Sequence, residues 1–413
     1  MLGVLTFTML AVAQAQDASG AKPEPQKGAW TISPHRSVFW AGVEHVPIGV
    51  CLPGDLSRIK QAQEAGITDF VIEMPLEPEP WEPVVQALES KGSRYFIKVA
   101  TPSPAPKVWS IEPGAFRQQM SDQRSFDLPI PGVESALAAL VNRRSGDVRW
   151  NQRIQGKNGR IAFSADAHGL ESVLLLYPNL QDGSLPDFWE GWDQHRDSLL
   201  RAVKAAKLGA GFRGMIDPIG TAASFASEEN SMVPSSEMFR LELEQLLQVR
   251  HGTIDKALDA WALRANDIRS FKRLSRLVPL WSGRRGVGGL YDPQLDRIHI
   301  AESGKSTAWK DIRDAAAETM HRRVNRLVTA LQSLFDAPVI QTFTGWQGPW
   351  TRSSTALHGL CLQLGSGEFS GSAAITGRAA GALSGWIKPG MMTAIADLSS
   401  DPAQRLPVER TVQ

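Results

Sequence analysis

The sequence predicts an α/β protein that resembles a (β/α)8 TIM barrel, either complete or incomplete at its C-terminus, with an antiparallel β module inserted after the third strand. Three observations support this prediction. Apolar strands alternate with amphipathic helices up to residue 102, the alternation stops over residues 103–186, and it resumes from residue 187. Continuous apolar strands separated by helices are typical of a parallel sheet that is covered on both faces.

The first part of the predicted barrel covers residues 30–102. Its elements are a strand over 45–52, a helix with Asp55 at its N-cap that ends at Gly66, a strand over 68–75, a helix over 81–92 and a strand over 94–100. An aspartate at the N-cap and a glycine after the last turn are the usual signals of a helix start and a helix end.

Residues 103–186 contain short alternating segments and no long amphipathic pattern, which predicts an antiparallel β module. The remainder of the barrel covers 187–413. It contains a helix that ends at Gly209, a strand over 211–220, three helices, a glycine-rich hairpin over 283–304, a helix over 307–335 and strands over 337–344, 358–365 and 390–398.

These segments give seven predicted barrel strands, whereas a closed (β/α)8 barrel has eight. The apolar segment 38–42 is a candidate for the eighth strand. If it does not contribute, the barrel is incomplete at its C-terminus.

The first sixteen residues form a short apolar run that ends in Ala13-Gln14-Ala15, and 17–29 is a polar linker. Small residues at this spacing are typical of a signal-peptidase site, so the run predicts a signal peptide and a secreted or periplasmic protein. A buried N-terminal strand is the alternative. The run is shorter than a membrane-spanning helix, and no span is predicted. Cys51 and Cys361 lie in apolar segments, and we expect two buried thiols rather than a disulfide.

The charge balance excludes a general nucleic-acid binder, because 44 Lys and Arg residues face 43 Asp and Glu residues. Residues 209–214 match GxGxxG in letters only. A dinucleotide-binding loop follows a strand and opens a helix, whereas here a helix precedes and a strand follows. No metal-ligand motif is present in the sequence, and neither a metal nor a cofactor is expected.

Acidic and aromatic residues follow several predicted strands, where a barrel carries its functional groups. Paired carboxylates beside Trp rings are the groups that glycosidic cleavage requires. The catalytic candidates are Glu228, Glu229, Glu368 and Asp397. The substrate-binding candidates are Glu73, Asp217, Asn230, Trp346 and Trp350.

Three stretches, 39–75, 239–261 and 337–346, resemble the β-galactosidase-like members of the (β/α)8-barrel glycoside hydrolases. The resemblance implies an acid/base Glu, usually preceded by Asn, at the end of strand four and a nucleophile Glu at the end of strand seven. This sequence has Asp217 after Ile216 at the first position and Asp397 after Ala396 at the second. The family's catalytic residues are therefore not transferred by motif.

We therefore predict an exported glycoside hydrolase-like protein that acts on an oligosaccharide or polysaccharide. Glu228 or Glu229 would be the general acid, Asp397 or Glu368 the nucleophile or base, and the two tryptophans a platform for the sugar ring. One alternative is a barrel that binds carbohydrate without cleaving it. Another is a surface interaction scaffold that uses the module 103–186. The sequence leaves open the sugar, the linkage, the stereochemical outcome and the oligomeric state.

Overall fold

A computed structural model describes most of the chain. The described residues are 6–8, 30–33, 38–45, 48–77, 80–102, 108–110, 118–119, 125–142, 148–165, 172–180, 188–220, 232–263, 267–280, 289–300, 306–344, 356–364 and 392–397. The chain divides into two compact units. The first comprises Met1–Pro104, Asp193–Ser224 and His321–Gln413, and the second comprises Ala105–Trp192 and Phe225–Met320. Residues 105–186 of the predicted module thus lie in the second unit, together with 225–320.

The strands, in chain order, are β1 (Thr6–Thr8), β2 (Trp30–Ile32), β3 (Val38–Trp40), β4 (Val43–His45), β5 (Ile48–Pro53), β6 (Asp69–Met74), β7 (Arg94–Val99), β8 (Val108–Ser110), β9 (Gln118–Gln119), β10 (Ser125–Pro129), β11 (Val133–Asn142), β12 (Val148–Gln155), β13 (Arg160–Ser164), β14 (Ser172–Leu180), β15 (Phe212–Ile216), β16 (Met232–Pro234), β17 (Val278–Leu280), β18 (Gly289–Asp292), β19 (Arg297–Ile300), β20 (Val339–Thr344), β21 (Gly359–Leu364) and β22 (Met392–Asp397). The helices are α1 (Leu56–Glu64), α2 (Glu82–Glu89), α3 (Phe188–Ala206), α4 (Glu237–His251), α5 (Ile254–Ala260), α6 (Phe271–Leu274) and α7 (Ala308–Gln332).

The main sheet of the first unit has the order β1-β5-β6-β7-β15-β20-β21-β22. From β5 to β22 every neighbouring pair is parallel and follows the order of the chain. All seven predicted barrel strands are in this sheet, which confirms the α/β class and the parallel pairing. Strand β1, which lies inside the predicted signal peptide, pairs antiparallel with β5.

Closure of this sheet into a barrel is not observed, because β1 and β22 are end strands with no ladder between them in the described residues. The segment 38–42, the candidate for the eighth strand, does not join the parallel sheet. Its first three residues are β3, in an antiparallel sheet with β2 and β4. Ala41 and Gly42 both have positive φ, 49° and 80°, as in the two-residue turns that close β-hairpins. This turn directs the chain back along β3, so β3 pairs with β4 and not with a strand of the parallel sheet.

One cluster of the first unit's core lies on one face of the parallel sheet, where side chains from successive strands meet. It includes Val71, Phe96, Ile216 and Ile340, and Val38 of the small antiparallel sheet packs with them. The predicted cap of α1 is confirmed, because the Asp55 carboxylate accepts a hydrogen bond of 2.8 Å from the Ser57 amide. The N-cap at Asp55 therefore fixes where α1 begins, directly after β5 of the parallel sheet.

The second unit is built on antiparallel sheets. Its largest sheet has the order β12-β11-β14-β8-β16, with β9 also paired to β14. Two smaller sheets are β10-β13 and β17-β18-β19. One cluster of its core lies against a single face of β11 and β14 and includes Phe126, Ala136, Leu140, Leu174 and Leu176. The predicted antiparallel character of this region is confirmed.

A buried carboxylate, Asp311 of α7, joins three segments of the second unit. It accepts hydrogen bonds from Trp261 Nε1 at 2.8 Å, His251 Nε2 at 2.9 Å and Arg250 Nη1 at 2.7 Å. Burial raises the pKa of Asp311, but the bonds from Trp261, Arg250 and His251 outweigh burial and hold it below its usual value. The residues from Arg250 to Trp261, part of the stretch with the family resemblance, thus have a structural role.

None of the helices in the described ranges is long and apolar enough to cross a membrane.

Candidate functional site

A row of polar side chains lies at the carboxyl edge of the parallel sheet. Glu73 is the second-last residue of β6, Lys98 is the second-last residue of β7, Asp217 directly follows β15, and Thr342 is in β20. Parallel strands end at a common edge, and ligands of open α/β sheets bind beyond it. These side chains come from four strands that are neighbours in the sheet.

Glu73 and Lys98 are paired positions in the β6–β7 ladder. The Lys98 ammonium lies 2.8 Å from Oε1 of Glu73, and the side chains of Lys98 and Glu73 are 12% and 37% exposed, respectively. Burial lowers the pKa of Lys98, but the hydrogen bond and charge of Glu73 outweigh burial and raise it overall. The lysine therefore stays charged and fixes a carboxylate that remains accessible to solvent.

Asp217 is the most buried acid of the row, at 1% exposure. Its Oδ1 accepts hydrogen bonds from the Thr342 amide at 2.7 Å and from Gln341 Nε2 at 3.3 Å. Burial raises the pKa of Asp217 to about 6, although the bonds from Thr342 and the charge of Lys98 act in the opposite direction. A substantial fraction of this carboxyl group therefore carries a proton at mildly acidic pH.

The backbone at Asp217 is in the left-handed region, with φ of 59°. Such a conformation is unfavourable for a residue with a side chain and must be held by its surroundings. The buried side chain of Gln341 holds it here: its Oε1 accepts from the Ile219 amide at 3.1 Å, and its Nε2 donates to the Gly220 carbonyl at 3.1 Å. His195 of α3 adds a 2.9 Å hydrogen bond to the Pro218 carbonyl.

Cys51 of β5 extends the row on the side of Glu73. Burial raises the pKa of its thiol to about 12, and the negative charge of Glu73 contributes to the rise. Such a thiol is protonated at neutral pH and is a poor nucleophile. The unpaired state predicted for Cys51 is confirmed, whereas the side chain of Cys361 lies outside the described residues.

The structure brings two of the nine predicted site residues together, Glu73 and Asp217. For Asp397 the backbone ends β22, and its side chain is not among those described. The other six candidates lie outside the described residues and stay predictions: Glu228, Glu229, Asn230, Trp346, Trp350 and Glu368.

Sequence reasoning missed Lys98 and Gln341. The available signal for Lys98 was its position in the largely apolar run YFIKVA. A charged side chain is buried in a strand only when another group pairs with it. The glutamine in VIQTFT carried the same kind of signal. Their partners are on neighbouring strands, so spacing along the chain did not identify them.

The GxGxxG segment, residues 209–214, binds a carboxylate of the protein itself, that of Glu89. As predicted, α3 precedes it and β15 begins within it. The amide of Gly211 donates to both oxygens of Glu89, at 3.1 and 3.2 Å, and the Tyr95 hydroxyl donates to the same carboxylate at 2.8 Å. This turn holds α2 against the sheet and is not a phosphate loop.

No group of three or more His, Cys, Asp or Glu side chains suited to a metal ion occurs in the part of the chain that the structure describes. The chemistry that the row offers is that of its own acids and lysine. A buried carboxyl with a raised pKa and an accessible carboxylate fixed by a lysine form the kind of pair from which a general acid and a base or nucleophile are drawn.

The fold and site thus define a mixed α/β protein with an acidic site at the carboxyl edge of a parallel sheet. No family model matches the chain. No curated protein matches it either. Among solved structures, one described as "Structure of morphinone reductase in complex with tetrahydroNAD" is similar at 12% identity, over 87% of this chain and 88% of that chain, with a TM-score of 0.25. A score this low supports no inference about fold or activity.

Proposed function

We propose that the carboxyl edge of the parallel sheet is the active site of an exported glycoside hydrolase that acts on an oligosaccharide or polysaccharide. One observation carries the proposal: Asp217 and Glu73 are carboxyl groups in contrasting environments at the same edge. Asp217 is buried with a raised pKa, whereas Glu73 is accessible and paired with Lys98. Two carboxyl groups in different protonation states are what glycosidic cleavage requires.

In the proposed reaction, the Asp217 carboxyl transfers its proton to the glycosidic oxygen while the bond from that oxygen to the anomeric carbon breaks. The Glu73 carboxylate either removes a proton from the water that attacks the anomeric carbon, or attacks that carbon itself and forms a glycosyl ester. In the second case the ionised Asp217 takes a proton from a water molecule, which attacks the anomeric carbon, breaks the ester bond and releases Glu73. Lys98 positions Glu73 and neutralises its charge before substrate binds. The separation of the two carboxyl groups around the substrate decides between retention and inversion of configuration.

The remaining sequence predictions fit the same proposal. Trp346 and Trp350 follow β20 in the chain and would cover the apolar face of a sugar ring. Glu228 or Glu229 is a second candidate for the acid, and Asp397 or Glu368 for the nucleophile. Asn230 would bind a sugar hydroxyl. Export follows from the predicted signal peptide over residues 1–16.

Carbohydrate binding without cleavage is a second candidate, and a specific contact favours it. Oδ1 of Asp217 accepts from both Thr342 and Gln341, so part of this carboxylate joins β15 to β20. A carboxylate with that structural role is less free to protonate a substrate. Lys98 and Glu73 would then bind sugar hydroxyls at the same edge.

The test is incubation of the purified protein with a panel of aryl-glycosides and oligosaccharides, followed by detection of both bound ligand and released product. We expect product from the wild type and at least a 10²-fold loss of kcat/KM in Glu73→Gln and in Asp217→Asn, since positioned acid–base groups contribute about 10²–10⁴-fold. The matched control is Asp69→Asn, because Asp69 pairs with Arg94 at the opposite end of the same two strands.

Saturable binding without product would support the second candidate and contradict hydrolysis. Neither binding nor product across the panel would contradict both. Turnover that survives in Glu73→Gln and Asp217→Asn but disappears in Glu228→Gln, Glu229→Gln, Glu368→Gln or Asp397→Asn would move the active site to those acids.

A further inference from the structure

The two oxygens of the Asp217 carboxyl group have different surroundings. Oδ1 accepts a hydrogen bond of 2.7 Å from the backbone amide of Thr342 and one of 3.3 Å from Nε2 of Gln341. Among the described residues, no N–H group donates to Oδ2. A protonated carboxyl group has its single proton on one of the two oxygens. The difference between the oxygens therefore decides where that proton is.

The orientation of the Gln341 amide follows from its neighbours. Its Oε1 accepts from the backbone amide of Ile219 at 3.1 Å. Its Nε2 faces three acceptors: Oδ1 of Asp217, the Gly220 carbonyl at 3.1 Å and the Thr342 carbonyl at 2.9 Å. The reverse orientation would place the amide oxygen against these three oxygens and the NH2 group against an N–H donor. Because the hydrogen-bond network fixes a side-chain amide, Nε2 is the atom that faces Oδ1.

A proton on Oδ1 would meet the hydrogens of these two donors. Oδ1 has two lone pairs, and the amide of Thr342 and Nε2 of Gln341 already donate to them. Displacing the Thr342 amide would leave a buried N–H without an acceptor, which costs free energy. The Thr342 hydroxyl also faces the carboxyl group, and it fits a proton on Oδ2 because a hydroxyl accepts as well as donates.

We propose that Asp217 holds its transferable proton on Oδ2, and that Gln341 is the positioning residue that keeps it there by donating to Oδ1 and fixing the turn from Asp217 to Gly220. The use of this proton in catalysis rests on the proposed hydrolysis. In that reaction the proton leaves Oδ2 for the glycosidic oxygen, which takes the electron pair of its broken bond to the anomeric carbon. The two donors on Oδ1 then stabilise the carboxylate that remains.

The charged and titratable groups around Asp217 lie on three other elements. Lys98 of β7 lowers the pKa of Asp217 by its charge, and Glu73 of β6 raises it. Neither forms a hydrogen bond with this carboxyl group in the part of the chain that the structure describes. His195 of α3 contacts the neighbouring backbone, at the Pro218 carbonyl. The difference between the two oxygens thus comes from β20, which contributes both N–H donors.

Infrared difference spectroscopy of the full chain between pH 4 and pH 8 locates the proton. The C=O band of protonated Asp217 is the band that is absent from Asp217→Asn. Its frequency falls when the carbonyl oxygen accepts hydrogen bonds, and with the proton on Oδ2 that oxygen is Oδ1. Gln341→Met removes one donor to Oδ1, so we expect the band to move to higher frequency. With the proton on Oδ1, the carbonyl oxygen would be Oδ2 and the band would not move.

The pH dependence is a second readout. Loss of a donor to the charged form raises the pKa of Asp217, so in Gln341→Met the midpoint of the band and the descending limb of kcat/KM should move up by about 0.5–1 pH unit. Gln341→Glu keeps the shape and the bond from Ile219, so it tests the proposal even if Gln341→Met unfolds. Its carboxylate repels that of Asp217, and we expect a rise of about one pH unit or more.

Kinetics separate a positioning role from substrate binding. Gln341 acts through Asp217 and does not contact the substrate in this proposal. We expect kcat to fall about ten- to a hundredfold in both variants, with KM changed less than about threefold, because small displacements of a reacting group have effects of up to about 10²-fold. A purely structural Gln341 would lower stability and leave the band, its midpoint and the descending limb unchanged.

The matched control is Gln63→Met. Nε2 of Gln63 donates to the Ala87 carbonyl at 3.3 Å and the Ser93 hydroxyl at 2.9 Å, beside the amino-terminal end of β7. This variant should show the wild-type band, midpoint and limb.

An Asp217 band that stays at the wild-type frequency in folded Gln341→Met would overturn the proposal. So would an unchanged midpoint in Gln341→Glu. A band that moves as expected, in a protein that cleaves no glycoside, would contradict the proposed hydrolysis and support the position of the proton.

Discussion

The Lys98 ammonium and the Glu73 carboxylate lie 2.8 Å apart at paired positions of two parallel strands. Four residues earlier, the same two strands pair Arg94 with Asp69. Strands β6 and β7 therefore carry one ion pair at each end, and an apolar stretch separates the two. The lysine of the carboxyl-edge pair is the more buried cation, with 12% of its side chain exposed against 45% for Arg94. The carboxyl edge, where we propose the active site, therefore combines a buried cation with an accessible carboxylate.

Asp217 should make the protein less stable as pH rises. Its folded-state pKa is raised from 3.8 to about 6, so the folded protein binds this proton more firmly than the unfolded chain. The folded state then loses stability between about pH 4 and pH 6, by on the order of 3 kcal/mol for a difference of about two pKa units. Asp217→Asn removes this loss. Urea unfolding of both proteins at pH 4, 5, 6 and 7 should show the variant gaining relative stability as pH rises. A difference that is constant with pH would contradict the burial of an ionisable Asp217.

Asp311 should contribute far more stability than its neighbour Asp314, although both contact Arg250. Asp311 is 2% exposed and accepts from Trp261 and His251 as well. Its replacement by Asn leaves buried donors without a charged acceptor, which typically costs about 3–5 kcal/mol. Asp314→Asn is the matched control and should cost less than about 1 kcal/mol, because its side chain is 29% exposed. Thermal or urea unfolding measures both, and equal costs would contradict the role given to Asp311.

The Cys51 thiol should react slowly with alkylating reagents in the folded protein. A pKa raised from 9.0 to about 12 leaves on the order of a thousandfold less thiolate at pH 8. Glu73→Gln should speed the reaction, since it removes one cause of the raised pKa, but burial should keep it slower than in the unfolded chain. Peptide mapping after timed iodoacetamide treatment separates Cys51 from Cys361. Labelling of Cys51 at the same rate in folded and urea-unfolded protein would refute this environment.

Gly211 should not tolerate a side chain. A methyl group at this position would meet the Ser93 carbonyl, the Tyr95 ring and the Glu89 carboxylate. We expect Gly211→Ala to lower the free energy of unfolding by about 1–3 kcal/mol, the usual cost of overpacking. Glu89→Gln keeps the shape of the acceptor and should cost less. A Gly211→Ala variant as stable as the wild type would show that the turn is loosely packed.

The sequence was sufficient to predict the seven parallel strands, because each is a continuous apolar run bounded by helix or turn signals. It was insufficient for the segment 38–42, where the hairpin turn at Ala41 and Gly42 outweighed the apolar pattern. Glu73 and Asp217 were selected because they lie at the ends of predicted strands. Lys98 and Gln341 were not, because their partners belong to other strands. The sequence analysis did not place 225–320 in the same unit as 105–186. These two segments are brought together by contacts between residues that are far apart in the chain, and the sequence does not reveal such contacts.

The central claim is that Asp217 supplies the proton in glycosidic cleavage, and the most direct test is the pH dependence of kcat/KM on an aryl-glycoside that the protein cleaves. We predict a descending limb with a midpoint near pH 6, where Asp217 loses its proton. The limb should be absent from the residual activity of Asp217→Asn and unchanged in Asp69→Asn. Turnover in Asp217→Asn at the wild-type rate, with the same descending limb, would contradict the account.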